Sequence, residues 1–292
     1  MRKLIGPVQK IPIYRFQFGN PHQDAELDLV AVEEPLQIRL QWQADSTWQE
    51  KNLYVTMRTP GQDFDLAVGF LLAEGIIQGL ADILSMRYCK RVKPEEEGNV
   101  VIVRLTGGLV PDLSATDRNF IANSSCGVCG KSSLEEVCSR IAPTLNLPVN
   151  FSVNAEVISG LTAFLNEEQT AFKYTGGLHA AVLFDQSGKG LLLREDVGRH
   201  NAMDKLIGAA FQEGYLPHPD RIVLLSGRIS FELVQKAAMA GVPLLAALGA
   251  PSSLAVDLAY HKGIALIGFL KKQGFNCYSY PERIKGVGGK NH

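Results

Sequence analysis

Apolar and polar side chains fall into strict alternation early in the chain. From Leu36 to Trp42 every second residue is apolar, the period of a strand with one wet face, and Leu53 to Met57 makes a second short strand, so residues 29 to 58 read as strands. Thr59 offers a cap and Pro60 a first helical position for a helix through Leu66, Phe70 and Leu71 that stops at Gly75. A continuous apolar run, Val100 to Leu105, is a further strand ending at Gly107 and Gly108. These elements predict a small α+β unit over residues 29–111, preceded by an N-terminal extension, residues 1–28.

The rhythm changes after residue 131. Ser132 and Glu135 make a capping-box pattern, and Leu134, Val137, Cys138 and Ile141 repeat at helical spacing, which marks Cys138 as a core thiol. A second helix spans Ala155 to Glu168, where Asp196 is still far ahead. Ala180 to Phe184 and Leu191 to Arg194 form a hairpin across a Gly-containing turn, and Asn201 to Phe211 is helical, with Asp196 the candidate cap. Strand and helix then alternate: Ile222 to Leu225, Phe231 to Ala240, Leu244 to Leu248, Leu254 to His261 and Ile264 to Leu270, with a last strand from Phe275 to Tyr280. Apolar strands separated by helices of about 10 residues predict βαβ units, a mostly parallel sheet covered by helices on both faces, within residues 132–292. The fold class is therefore α/β.

Between the two units, residues 112–131 form a polar stretch read as an exposed loop. It holds Asn123-Ser124-Ser125-Cys126-Gly127-Val128-Cys129-Gly130-Lys131, two thiols two residues apart among glycines and hydroxyls. Such a segment presents both sulfurs to solvent or to a partner. The chain has five cysteines, an odd number spread over 292 residues, which does not suit a disulfide framework and fits a reducing compartment. Cys89 and Cys277, each alone, read as buried small hydrophobes.

Composition narrows the partners. With 46% hydrophobic and 20% charged residues, disorder is not expected, and the 29 basic and 30 acidic side chains nearly cancel, so net charge points to neither nucleic acid nor an anionic membrane. No segment has the roughly 18 uncharged apolar residues of a membrane span and the start lacks a signal-peptide run, so a cytoplasmic protein is expected.

Candidate chemistry gathers beyond the carboxyl ends of the predicted parallel strands, where open α/β sheets bind ligands. The loops there are Ser226-Gly227-Arg228-Ile229-Ser230, Gly249-Ala250-Pro251-Ser252-Ser253 and Lys271-Lys272-Gln273-Gly274. Small residues leading to a helix start leave backbone N–H groups free for an anion, and Arg228, Lys271 and Lys272 add positive charge, which describes a phosphate or pyrophosphate site. Gly176 and Gly177 allow close backbone approach before His179, and Arg199, His200 and Asn201 cluster at a helix start.

Several chemistries compete for the dithiol. Structural zinc needs four ligands and a second pair is missing. A zinc deaminase needs H-x-E and P-C-x-x-C, but Ser125 replaces the proline and no His-x-Glu occurs, so no zinc is expected. A thioredoxin-like CxxC belongs at a helix start after an early strand. A thiol that carries a group is the remaining reading.

Together, Ser124 to Lys131, Gly176-Gly177-Leu178-His179-Ala180, Glu195 to Ala202, Ser226-Gly227-Arg228 and Ala250 to Ala255 resemble the FdhD family, the formate dehydrogenase accessory sulfurtransferases. Glu34-Pro35-Leu36, Gly69 to Ile77 and Pro281 to Ile284 extend the resemblance over all but about the first 25 residues. It implies an enzyme, a sulfurtransferase with a cysteine persulfide intermediate. Sulfur would come from a cysteine desulfurase and pass to the molybdenum of a bis(molybdopterin guanine dinucleotide) cofactor, for the catalytic subunit of formate dehydrogenase. It also implies a cytidine-deaminase-like α/β/α fold for the C-terminal half, and a homodimer.

The receiving thiol must be exposed and acidic. Cys129 lies nearer the helix start, the acidic position; Cys126, in the freer part of the loop, is the expected carrier, with Cys129 assisting or resolving. The guanine-nucleotide-containing cofactor is expected across Phe269, Leu270, Lys271, Lys272, Gln273 and Gly274. Gly177, His179, Arg199, His200, Asn201, Ser226, Gly227 and Arg228 would line the same cleft. The rival reading is a chaperone that binds the molybdenum cofactor, its CxxC only a redox sensor or metal clip.

Overall fold

A computed structural model of the chain describes residues 6–16, 25–113 and 151–286. The chain opens with an antiparallel pair, β1 (Val8–Tyr14) and β2 (Ala25–Ala31), in the segment that lacked a sequence signal. The predicted early strands are β3 (Glu34–Ala44) and β4 (Thr47–Arg58), a long hairpin turned by Asp45 and Ser46, both at positive φ as a two-residue turn of this twist requires. Together with β5 (Ile83–Tyr88) and β6 (Val100–Leu105) they make a four-stranded sheet in the order β4-β3-β6-β5.

Helix α1 covers Asp63–Ala73, so the expected start at Pro60 is corrected. Tertiary bonds divert Thr59 from capping: its N–H donates to Asp196 Oδ2 (3.1 Å), its hydroxyl accepts from the Val197 N–H (3.1 Å), and its carbonyl accepts from Lys205 Nζ (2.8 Å). Asp63 opens the helix instead, buried against Arg58 through paired bonds of 2.9 and 2.8 Å.

In the second half, β7 (Val153–Asn154) leads into α2 (Ala155–Glu168) and the short α3 (Thr170–Thr175). Then follow β8 (His179–Phe184), β9 (Gly190–Asp196), α4 (Arg199–Gln212), β10 (Ile222–Leu225), α5 (Phe231–Met239), β11 (Leu244–Ala247), α6 (Ser253–Lys262), β12 (Ala265–Lys271), β13 (Gly274–Ser279) and β14 (Ile284–Lys285). The six-stranded sheet has the order β13-β12-β11-β10-β8-β9. The α/β class holds, but the parallel part is narrower than expected. Only β10, β11 and β12 run parallel; the hairpins β8/β9 and β12/β13 make both flanks antiparallel, because tight turns can join only antiparallel neighbours.

Both faces of this sheet are covered. On one, Ala181, Leu183, Val223, Leu225, Leu245 and Ala247 pack with residues of α4, α5 and α6; on the other, Val182, Phe184, Leu224, Ala246 and Ile267 pack with Ile158, Leu161 and Leu165 of α2. The first of these cores continues through α1 to Leu36, Ile38, Leu40, Val101 and Val103 of the four-stranded sheet, so apolar packing does not stop at residue 111. Glycines make that continuity possible. A Cβ on Gly69 of α1 would lie 1.9 Å from the Asp204 carbonyl oxygen, and one on Gly208 of α4 would lie 1.9 Å from that of Asp65.

Candidate functional site

Strands β10, β11 and β12 end side by side, and β8, antiparallel to β10, starts at the same edge. Main-chain bonds lace the loops there into one floor. The Gly249 N–H donates to the Gly227 carbonyl (3.2 Å), the Ile229 N–H to that of Ala250 (3.0 Å), the Ser252 N–H to that of Ile229 (3.0 Å) and the Phe269 N–H to that of Gly249 (3.1 Å). This requires glycine at 249, where a Cβ would lie 2.8 Å from the Gly227 oxygen. The first two loops lead into α5 and α6, with Ser252 capping α6 by accepting from the Ala255 N–H (3.3 Å). The third is a hairpin turn into β13, so Lys271, Lys272 and Gln273 contribute exposed side chains and no helix start.

At one end the edge is tightly built. His179 opens β8 opposite Asp196, and a Cβ on Gly227 would lie 3.2 Å from His179 Nδ1 and 3.7 Å from Arg199 Cδ, so these three predicted residues are together. Burial, then the Arg199 guanidinium and the His200 ring, push His179 below the ordinary imidazole range against the opposing pull of Asp196. Arg199 Nε is buried with no hydrogen-bond partner among the described residues, a donor left for an acceptor. His200 Nε2 lies 3.0 Å from both Ser230 Oγ and Glu232 Oε2.

Other predicted residues serve the frame. The Asn201 amide nitrogen donates to the Met57 carbonyl (2.7 Å) and Asp196 Oδ1 (3.1 Å), and its oxygen accepts from Thr56 Oγ1 (3.2 Å); the side chain is buried. Asp196 is no cap: Gly198 takes that position, while fully buried Asp196 pairs with Lys205 Nζ at 2.7 Å. The Ser226 hydroxyl accepts from the Ala180 N–H (2.9 Å), extending the β8/β10 pairing. Gly177 is exposed beside Ala31 of β2, and Arg228 is exposed next to Gly227.

At the other end the edge is open. Phe269, at φ 52° and 45% exposed, Lys271, Gln273, Gly274, Phe275 and Asn276 line a groove of about 440 Å³. Leu270 points the other way into the core, 2% exposed. Among the predicted residues, the structure thus places Phe269, Lys271, Gln273 and Gly274 in one groove and His179, Gly227, Arg199 and His200 around the Ser226–Ser230 loop, with the Gly249–Ser253 loop between the two.

Cys126 and Cys129, like Cys138, lie outside the described residues. Cys89 is buried, and Cys277 is half-buried with its thiol donating to the Ser279 carbonyl (3.3 Å), burial pushing it above the ordinary thiol range. Sequence reasoning missed Glu232 as a site residue, because two positions into a helix an acid reads as ordinary compensation of the helix dipole. It also missed Thr59 and Lys205, whose partners lie more than a hundred residues away or inside the core. Among the described residues, no helix is long and apolar enough to cross a membrane.

Comparison with known proteins agrees along the chain. The model of the FdhD/NarQ family matches residues 31–285. Proteins named sulfur carrier protein FdhD are 46% identical over 260 residues in Streptomyces avermitilis, covering 88% of this chain and 89% of that one, and 48% identical over 265 residues in Mycolicibacterium paratuberculosis, covering 89% and 93%. A crystal structure from Desulfotalea psychrophila, described as that of a formate dehydrogenase accessory protein, shares the fold at TM-score 0.70 and 21% identity, covering 95% of this chain and 99% of that one. The chain belongs to the FdhD/NarQ family.

Proposed function

We propose that this protein is a sulfur carrier that takes sulfur from a cysteine desulfurase as a persulfide and delivers it to the molybdenum of bis(molybdopterin guanine dinucleotide), in support of formate dehydrogenase. The observation that carries this reading is close similarity, over most of the chain, to proteins named sulfur carriers, in a sequence that holds an isolated dithiol, Cys126 and Cys129. In the loading step the thiolate of Cys126 attacks the outer sulfur of the donor persulfide. The new S–S bond forms on Cys126, the old one breaks, and the donor cysteine leaves as thiolate.

The sheet edge suits the cargo. The groove beside Phe269 offers an exposed aromatic face and the cationic Lys271 to a guanine nucleotide, while Arg199 supplies a charged donor with an unused N–H toward a diphosphate. Cys129 assists or resolves. Complementation of a strain lacking its sulfurtransferase tests the reading: Cys126→Ala is expected to abolish formate dehydrogenase activity and Cys129→Ala to reduce it. Full activity with Cys126→Ala and Cys129→Ala combined would remove the carrier role and favour a cofactor-binding chaperone.

A further inference from the structure

Helices α4 and α5 meet behind the tightly built end of the edge, and their seam holds four ionisable side chains in two rungs. In the first, His200 Nε2 faces Glu232 Oε2 at 3.0 Å; in the second, one helical turn deeper, Lys236 Nζ meets Asp204 Oδ1 at 2.5 Å. Each helix contributes residues four apart, hence on one face. With His200 protonated, charge alternates along each helix and across the seam. The deeper rung is buried, Asp204 at 2% and Lys236 at 7% exposure. Against the depressing effect of burial, Asp204 and then Glu74 hold Lys236 above the ordinary amine range, while burial pushes the Asp204 carboxyl up against the pull of Lys236; the short bond between the two ties the helices together.

Both partners of His200 gather on one nitrogen. The Ser230 hydroxyl donates to Glu232 Oε2 (3.3 Å), so its oxygen lone pair and the carboxylate both face Nε2 as acceptors. That geometry differs from a nucleophile relay, in which the nucleophile and the orienting acid hold opposite nitrogens of the histidine base. Among the described residues, nothing bonds Nδ1. We propose that Ser230 and Glu232, backed by the Asp204–Lys236 rung, are positioning residues that keep Nε2–H turned into the helix seam and leave Nδ1 as the ring atom that meets an anionic phosphate oxygen of the bound nucleotide.

The consequence concerns protons. A neutral ring with its hydrogen on Nε2 offers a lone pair at Nδ1, which a phosphate oxygen repels. Binding therefore takes up one proton from solvent at Nδ1, which then donates to the phosphate, and Glu232 balances the added charge. Among the described residues, the charged and titratable groups around His200 include Arg199 and Asp204 on its own helix, Glu232 on α5 and His179 on β8, with Lys236 of α5 and Glu74, which follows α1, acting on Asp204. This inference rests on the reading of the edge as a site for the cofactor's phosphates.

Calorimetric titration of the full chain with guanosine diphosphate at pH 8, in two buffers of different ionisation enthalpy, tests both levels. The wild type is expected to take up more protons per nucleotide than His200→Gln, and Glu232→Gln to shrink that difference while weakening binding about tenfold, the scale of one hydrogen bond to a charged group. Glu232→Asp should restore part of both. Nitrogen-15 shifts of the His200 ring should show the hydrogen on Nε2 in the wild type and a tautomer mixture in Ser230→Ala. Wild-type uptake and affinity in Glu232→Gln, or an unchanged tautomer in Ser230→Ala, overturn the inference and leave the cleft reading standing. Wild-type nucleotide binding by His200→Gln would instead show that the cleft reading misplaces this end of the site, and the inference would fall with it.

Discussion

The two ends of one sheet edge are built in opposite ways. Behind His179, His200 is held by Ser230 and Glu232 and Asp196 by Lys205, and the support runs deeper, through Lys205 to Thr59 and through Asn201 to Met57. Around Phe269 the aromatic ring is half in solvent and the adjacent lysines are exposed. A shared floor of main-chain bonds joins the ends, and they differ in their side chains and in the third loop being a hairpin turn instead of a helix entry. The difference teaches where stability and binding separate. Removing a buried, paired group such as Lys205 from the held end costs the fold, because a buried partner is left behind; removing an exposed lysine from the open end costs only the ligand.

The sharpest way to break this contrast is Lys205→Met. It leaves the Asp196 carboxylate, 0% exposed, without its cation, and breaking a buried pair from one side costs about 3–5 kcal/mol. Urea unfolding should show a loss of that size. A loss under 1 kcal/mol would mean the held end is not held by this pair.

Next in size is the opposite experiment at the open end. Lys271→Ala combined with Lys272→Ala should change unfolding free energy by no more than about 0.5 kcal/mol, as exposed substitutions do. The same variant should weaken guanosine diphosphate binding several-fold and leave sulfur loading intact. Unchanged nucleotide affinity would place the cofactor elsewhere.

The smallest expected effect lies where the Thr59 loop joins the first sheet. Tyr88 donates to Asp63 Oδ2 (3.1 Å), and burial, then the Asp63 charge, push its phenol up to about 12 from 10.0. Because the folded value is the higher, the unfolded chain loses this proton first as pH rises. The contribution is complete below pH 10 and is lost progressively toward pH 12. Tyr88→Phe should flatten that part of the stability profile while leaving nucleotide binding alone.

How far the sequence spoke depended on the range of the forces involved. From Ala180 to Ser279 the apolar runs are short and bounded by turns, so each strand and helix there was legible within a residue or two, whereas the two-residue β14 was not predicted. Helix α2 was legible at both ends. The β8/β9 hairpin was legible from its turn, but the antiparallel pairings of β8 with β10 and of β12 with β13 were not, since an apolar run carries no direction. β5, Ile-Leu-Ser-Met-Arg-Tyr, was missed because its alternation is broken, and the ladder to β6 shifts register at the same place. Thr59 followed capping rules locally and lost to bonds formed with residues 196, 197 and 205.

The same limit applied to the site. The edge and its cations could be read off the chain because loops after strands follow from strand order. The partners that make His200 usable, Ser230 and Glu232, lie 30 or more positions away and show no pattern of their own. The dithiol was the clearest signal in the sequence, and it lies outside the described residues.

The central claim is that sulfur resides on that dithiol. Intact-protein and peptide mass spectrometry after incubation with a cysteine desulfurase and free cysteine addresses it directly. The account predicts the added mass of one sulfur on Cys126, removed by reductant and absent in Cys126→Ala. A chain that gains no sulfur on Cys126 or Cys129 under conditions where the desulfurase is turning over would contradict it.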